Sequence, residues 1–181
     1  IYALKHRLID YHGDQLLTER WATCGQFCYV DYPISDVQGS TLGIVGRGCI
    51  GNEVARLAQA VGMRVLFAEH QHATTIREGY TAFDEVLNQA DVISLHCPLT
   101  PQTEQLINAK TLALMKPNAC LINTGRGGLI NEADLLQALQ SGKLAGAALD
   151  VLVKEPPASD DALWLAAKTQ PNLLITPHVA W

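Results

Sequence analysis

Between Thr41 and Glu69 the chain runs apolar strand, glycine-rich turn, helix, second strand and acid, in that order. Few folds accommodate that series. Thr41-Leu-Gly-Ile-Val reads as a buried strand, and Gly46-Arg47-Gly48-Cys49-Ile50-Gly51 follows it directly. Gly46 permits a sharp turn, Gly48 lets backbone approach a pyrophosphate, and Gly51 lets the next helix pack close to the strand. The spacing predicts a helix over Asn52 to Val61 with Val54, Leu57, Ala58 and Val61 on one face. Its N-terminal amides and dipole suit an anion. Arg64 to Ala68 reads as the second strand, and Glu69 ends it, about 20 residues past the loop, where a carboxylate can hold a ribose diol.

From Ser40 onward strands and helices alternate, which predicts a parallel sheet covered on both faces. A helix near Phe83 to Gln89 precedes a buried strand from Asp91 to Leu95. Asn108 reads as the N-cap of a helix running to Met115. Ala119 to Ile122 is another strand, Asn131 caps a helix over Glu132 to Gln140, and Gly142 stops it. Leu144 to Leu149 and Leu173 to Thr176 are the last strands. The expected fold class is α/β, a Rossmann-type doubly wound parallel sheet in three αβα layers, with an N-terminal helical arm. The arm covers residues 1–35: a helix tail to Tyr11, a short helix around Asp14 to Arg20 starting after Gly13, then an aromatic-rich stretch with Trp21, Phe27, Tyr29 and Tyr32. It reads as a packed edge of the domain, as a dimer contact or domain connector, or as both. Residues 36–181 form the nucleotide-binding domain.

A formal net charge of −5 argues against nucleic-acid or anionic-membrane partners. No apolar run approaches a membrane span. The five cysteines, Cys24, Cys28, Cys49, Cys97 and Cys120, form no paired framework and read as reduced thiols of a cytoplasmic protein. No histidine or cysteine spacing points to a metal.

In a doubly wound sheet, ligands gather at the carboxyl ends of the strands. Glu69, His96-Cys97-Pro98, Thr124-Gly125-Arg126, Asp150 and Pro177-His178 all fall at such ends. Arg126 stands among Gly125, Gly127 and Gly128, and its planar fork suits a carboxylate, though a solvated loop arginine is the plain alternative. Glu155 and His178 are far apart in sequence. If the fold joins them, the carboxylate favours the protonated imidazole and creates an acid–base group; separately, they read as a surface acid and a turn histidine. Asp150 ends an apolar strand and needs a polar partner, which a nicotinamide carboxamide or a helix N-terminus would supply. His96 reads as a hydrogen-bonded structural histidine.

These motifs resemble the nucleotide-binding domain of the D-isomer-specific 2-hydroxyacid dehydrogenases. The matching segments are Leu42-Gly-Ile-Val-Gly-Arg-Gly-Cys-Ile-Gly, His96-Cys-Pro-Leu-Thr, Met115-Lys-Pro-Asn-Ala, Ile122-Asn-Thr-Gly-Arg-Gly-Gly, Ala148-Leu-Asp-Val, Glu155-Pro-Pro and Thr176-Pro-His-Val-Ala-Trp. Within the family the chain is most similar to glycerate dehydrogenases, or hydroxypyruvate reductases. The resemblance implies NAD as cofactor and a small 2-keto or 2-hydroxy acid as substrate. It implies that Arg126 holds the substrate carboxylate, that His178 is the acid/base, and that Glu155 orients and charges it. Gly46, Gly48, Cys49, Ile50 and Gly51 would hold the pyrophosphate, and Glu69 the ribose. Cys97, Pro98 and Thr103 would lie along the cofactor. Thr124, Gly125, Arg126, Asp150, His178 and Ala180 would surround the nicotinamide. Trp181 would limit room for the substrate side chain, and NAD would be preferred to NADP because no arginine stands beside Glu69. Cys49 departs from the larger or basic residue many members carry. The family's separate substrate domain is not found between Ile1 and Trp181, which leaves one wall of the cleft and implies little turnover by the chain alone. The resemblance also implies a homodimer through this domain. An NAD-sensing, corepressor-like binding protein is the alternative, whereas formate dehydrogenases carry glutamine where Glu155 stands.

Overall fold

The computed structural model describes residues 1–180, and for residues 14–17 the backbone only. Six strands form one parallel sheet: β1 (Thr41–Val45), β2 (Arg64–Ala68), β3 (Val92–Leu95), β4 (Cys120–Asn123), β5 (Gly146–Leu149) and β6 (Leu173–Ile175). Their spatial order is β2-β1-β3-β4-β5-β6. The chain winds outward from β1 to β2, returns to lay β3 against the other side of β1, and continues outward to β6. The direction therefore reverses between β1 and β3, and the crevice at their carboxyl ends is where such a sheet takes a ligand.

Alternation along the strands feeds two cores. Ile93 and Leu95, Leu121, and Ala147 and Leu149 face a large cluster closed by Phe83, Leu112, Leu135 and Leu163. These come from α5 (Phe83–Gln89), α6 (Ala109–Leu114), α7 (Glu132–Gln140) and α8 (Ala162–Ala166). Leu42, Ile44, Val92 and Cys120 face a smaller cluster closed by Ala55 and Ala58 of α4 (Cys49–Ala60) and by Leu4 of α1 (Tyr2–Lys5). Asn108, Asn131 and Asp161 cap α6, α7 and α8 with their side chains, each cap being worth about 1 kcal/mol.

Three expectations need correction. The helix after the glycine loop begins at Cys49, not Asn52, and its buried side is Gly51, Ala55 and Ala58. Leu57 and Val61 are exposed, because the small residues bring α4 closer to the sheet than a Leu/Val face allows. In the arm, α2 (Leu8–Thr18) runs through Gly13. The chain breaks instead at Arg7 and Glu19, both at positive φ, and α3 (Arg20–Thr23) follows. Finally, α8 was not anticipated: at five residues it is too short to show a helical period.

Candidate functional site

The glycine loop is built by close contact. Gly46 sits at φ +106, and a Cβ there would lie 2.5 Å from the Cys97 amide nitrogen across the β1–β3 crevice. A Cβ at Gly51 would lie 2.1 Å from the Gly46 carbonyl oxygen. No larger residue fits either place. α4 then starts at an extended Gly48 with no side-chain cap and no acid in its first turn, so the Cys49, Ile50 and Gly51 amides face outward without a side-chain partner. Nothing lies within 4 Å of where a Gly48 Cβ would be. Uncapped amides, the positive end of the helix dipole and open space fit a pyrophosphate.

At the end of β2, Glu69 is buried. Its Oε1 accepts from Arg77 Nη2 (2.5 Å) and the His70 amide (2.8 Å); its Oε2 accepts from Arg77 Nε (2.7 Å) and the Arg77 amide (3.2 Å). The Arg77 side chain, helped by these amides, holds the carboxyl at about 2. This corrects the expectation that no arginine accompanies Glu69. Arg77 lies eight residues further on, in an irregular loop, and no sequence period links the two.

At the β3 end, His96 Nε2 meets Ser94 Oγ at 2.9 Å, and burial holds its pKa down. Cys97 packs against the larger core, and burial pushes its thiol pKa up. Thr103 Oγ1 donates to the Pro98 carbonyl (2.7 Å) and accepts from the Thr100 amide (2.8 Å), tying that loop together. At the β4 end, Thr124 and Arg126 are exposed. One guanidinium nitrogen of Arg126 donates to the Gly125 carbonyl at 2.7 Å. Buried Asn123, given no role by the sequence argument, builds this loop: its Oδ1 accepts from the Gly125 amide (3.0 Å) and its Nδ2 donates to the Arg126 carbonyl (2.9 Å). An asparagine two residues before a glycine is the usual sign of such a turn. Gly127 is required by backbone packing rather than by space for the guanidinium, since a Cβ there would sit 2.0 Å from the Leu152 carbonyl carbon.

Glu155 and His178 are brought together: Oε2 meets Nδ1 at 2.6 Å, with both side chains partly exposed. Glu155 Oε1 accepts from the Leu152 amide at 2.8 Å. That bond first, and His178 second, keep the Glu155 carboxyl below its ordinary value, so it stays charged. Asp150 underlies the pair. It is buried, and the chain itself supplies polar partners: Thr176 Oγ1 (2.5 Å) and the Val179 amide (3.0 Å) on Oδ1, and the Ala180 amide (2.8 Å) on Oδ2. Burial pushes this carboxyl up, but the three donors outweigh it and hold the pKa below the ordinary value. They also brace His178, whose φ of +54 costs a non-glycine residue about 1–2 kcal/mol. Three of the carboxylate's roughly four acceptor positions are used, leaving one on Oδ2. Glu155, His178, Asp150 and Trp164 line a cleft of about 690 Å³. Arg126 is not among its lining residues, and Trp181 lies outside the described residues. No group of His, Cys, Asp and Glu among the described residues is arranged to hold a metal.

A doubly wound sheet, an uncapped helix behind a glycine turn and a buried acid at the end of β2 define a dinucleotide-binding domain of the Rossmann type. The family described as D-isomer specific 2-hydroxyacid dehydrogenase, NAD binding domain, matches residues 3–180, and the chain belongs to it. It is 64% identical to a Haemophilus influenzae protein assigned to the 2-hydroxyacid dehydrogenases, covering 100% of the chain and 57% of that protein. It is 45% identical to the glycerate dehydrogenase of Methylorubrum extorquens, covering 100% of the chain and 55% of the relative. The NAD-complexed D-isomer specific 2-hydroxyacid dehydrogenase of Lactobacillus delbrueckii ssp. bulgaricus superposes with a TM-score of 0.82 at 32% identity, covering 97% of the chain and 57% of that structure. The chain thus spans a little over half the length of these relatives. Its cofactor is NAD, as the family's is.

Proposed function

We propose that the protein carrying this domain reduces small 2-keto acids to D-2-hydroxy acids, and that His178 moves the proton. The observation that carries the reading is the 2.6 Å contact between Glu155 and His178 on the rim of a cleft at the carboxyl end of the sheet. When bound, a reduced nicotinamide supplies hydride to the keto carbon. His178 gives its proton to the keto oxygen in that direction and takes it back in the other. Glu155, charged throughout the working range, stabilises the imidazolium and holds Nδ1, which leaves Nε2 for the substrate. Arg126, exposed on a loop ordered by Asn123, would turn from the Gly125 carbonyl to grip the substrate carboxylate. Glycerate as the physiological product class is supported by the Methylorubrum relative, and Trp181 would set the size limit. Homodimerisation through this domain is supported by exposed apolar residues on the arm, Trp21, Phe27 and Val30, with Phe27 94% exposed, and by Ile50 and Leu57 of α4 with Val61 just after it. Cytoplasmic residence is part of the proposal and rests on the five free cysteines; among the described residues no helix is long and apolar enough to cross a membrane.

Steady-state reduction of hydroxypyruvate and glyoxylate by the full-length protein tests this reading. His178→Ala should lower kcat by about a hundredfold or more. Glu155→Gln should keep measurable activity at a lowered kcat with NADH affinity unchanged, because the neutral amide no longer anchors Nδ1 through a charged contact. An unchanged kcat would separate Glu155 from proton transfer. A bulky keto acid leading the substrate ranking would overturn the glycerate assignment.

A further inference from the structure

The loop from His70 to Thr81 carries a charge arrangement that the dehydrogenase reading does not use. All four donors on Glu69 come from two residues, and three come from Arg77. The carboxylate is 2% exposed, so it shows the solvent neither a bare charge nor an empty acceptor site. The Arg77 side chain is 54% exposed, with its guanidinium carbon 4.1 Å from the centre of the Tyr80 ring. Arg47, inside the glycine loop, approaches the same ring at 5.3 Å and Phe67 at 4.4 Å. Its Nη1 donates to the Gly79 carbonyl at 3.3 Å. The surface beyond β2 therefore offers two guanidinium groups around one tyrosine, beside the paired carboxylate of Glu69. Glu78, the other acid of this loop, forms no ion pair among the described residues.

We propose that Arg77 is a cofactor-selectivity residue: by pairing with Glu69 it cancels the charge that would repel a 2′-phosphate, and together with Arg47 it presents guanidinium donors to that phosphate, so the domain accepts NADP(H) beside NAD(H). A ribose-side acid excludes NADP only while its charge is uncompensated. Here the compensation is built into the domain. Guanidinium forks suit phosphate oxygens, and both groups lie against the same Tyr80 ring. To accept a ribose diol, Glu69 must first lose one Arg77 donor, which tempers NAD affinity as well. The inference rests on Glu69 marking the ribose end of the cofactor.

Fluorescence titration of the chain with NADH and with NADPH, alongside circular dichroism to verify folding, is the test. Wild-type dissociation constants should differ by no more than about tenfold. Arg77→Ala, which keeps the two backbone amides but leaves the charge of Glu69 uncompensated, should widen that ratio about tenfold or more against NADPH. Arg77→Gln, which can still hydrogen-bond Glu69 without a charge, should widen it in the same direction and decides the matter if the alanine variant misfolds. Arg47→Ala should weaken NADPH selectively. A wild-type preference for NADH above about a hundredfold, or a ratio unmoved within about twofold in both Arg77 variants, would overturn the proposal. Glu69→Ala separates the underlying reading: it should change NADH affinity, and if NADH binds as in wild type, Glu69 is not at the ribose and the proposal fails with it.

Discussion

Two buried carboxylates, Glu69 and Asp150, show how single residues organise the site. Each is removed from water, and donors from a neighbouring loop fill all four acceptor positions of Glu69 and three of those of Asp150. A buried carboxylate missing such donors would be costly, so each acid pins the loop that solvates it. Glu69 pins residues 70–77 and Asp150 pins residues 176–180. The pH consequence follows from the direction of the shift. The Glu69 carboxyl lies at about 2 in the folded chain against an ordinary 4.5. Its stabilising contribution is therefore complete above about pH 4.5 and is lost as the pH falls toward 2. Thermal melts of wild type and Glu69→Gln should differ most at pH 5 and above, and the gap should narrow below pH 4.5 and close as the pH approaches 2. A gap independent of pH would mean that the charge of Glu69 does not hold the loop.

Among the elements, the turn after β4 and the turn after β5 lock together through Gly127. A Cβ there would penetrate the Leu152 backbone at 2.0 Å, whereas a Cβ at Gly128 would meet only the end of the Leu99 side chain, at 2.8 Å. Backbone cannot yield cheaply, but a half-exposed leucine can rotate. Gly127→Ala should therefore cost about 3 kcal/mol and Gly128→Ala less than about 1 kcal/mol, read from urea unfolding at constant m. Because Leu152 donates its amide to Glu155, Gly127→Ala should also disturb the Glu155–His178 pair. Equal costs for the two variants would refute the assignment of these glycines. The same logic governs α4: glycine and alanine on its buried side set the short distance at which its amides face the crevice.

For the whole molecule, two cores of unequal size share one sheet. The smaller depends on α4 and on α1 of the arm, where Leu4 is buried and Arg7 donates to the Ala145 carbonyl at 2.9 Å. A ligand that binds only the folded chain stabilises it by mass action. NADH at about 100 times its dissociation constant should stabilise the chain by about 2.7 kcal/mol, raising Tm by about 5–10 °C in a domain of this size. No rise in Tm would remove the glycine loop from its assigned role. With the Glu155 and His178 side chains partly exposed, the chain by itself should bind NADH yet turn over little keto acid, since hydride transfer needs water excluded from the cleft.

The alternation of elements from Ser40 onward, the glycine turn, the caps at Asn108 and Asn131 and the gathering of polar groups at strand ends were legible in the residues themselves. Each depends on local chemistry: a period, a φ requirement or a side chain that reaches its own backbone. The course of the arm through Gly13, the small-residue side of α4 and the five-residue α8 were not, because packing outweighs weak local preference in short or small-residue segments. The site divides the same way. Glu155 and His178 could be singled out as an acid and a histidine, but only the fold sets Oε2 against Nδ1. Arg77 carried no signal at all. An ion pair between a strand end and an irregular loop has no period, and the charge that decides what Glu69 can do is supplied by tertiary structure alone.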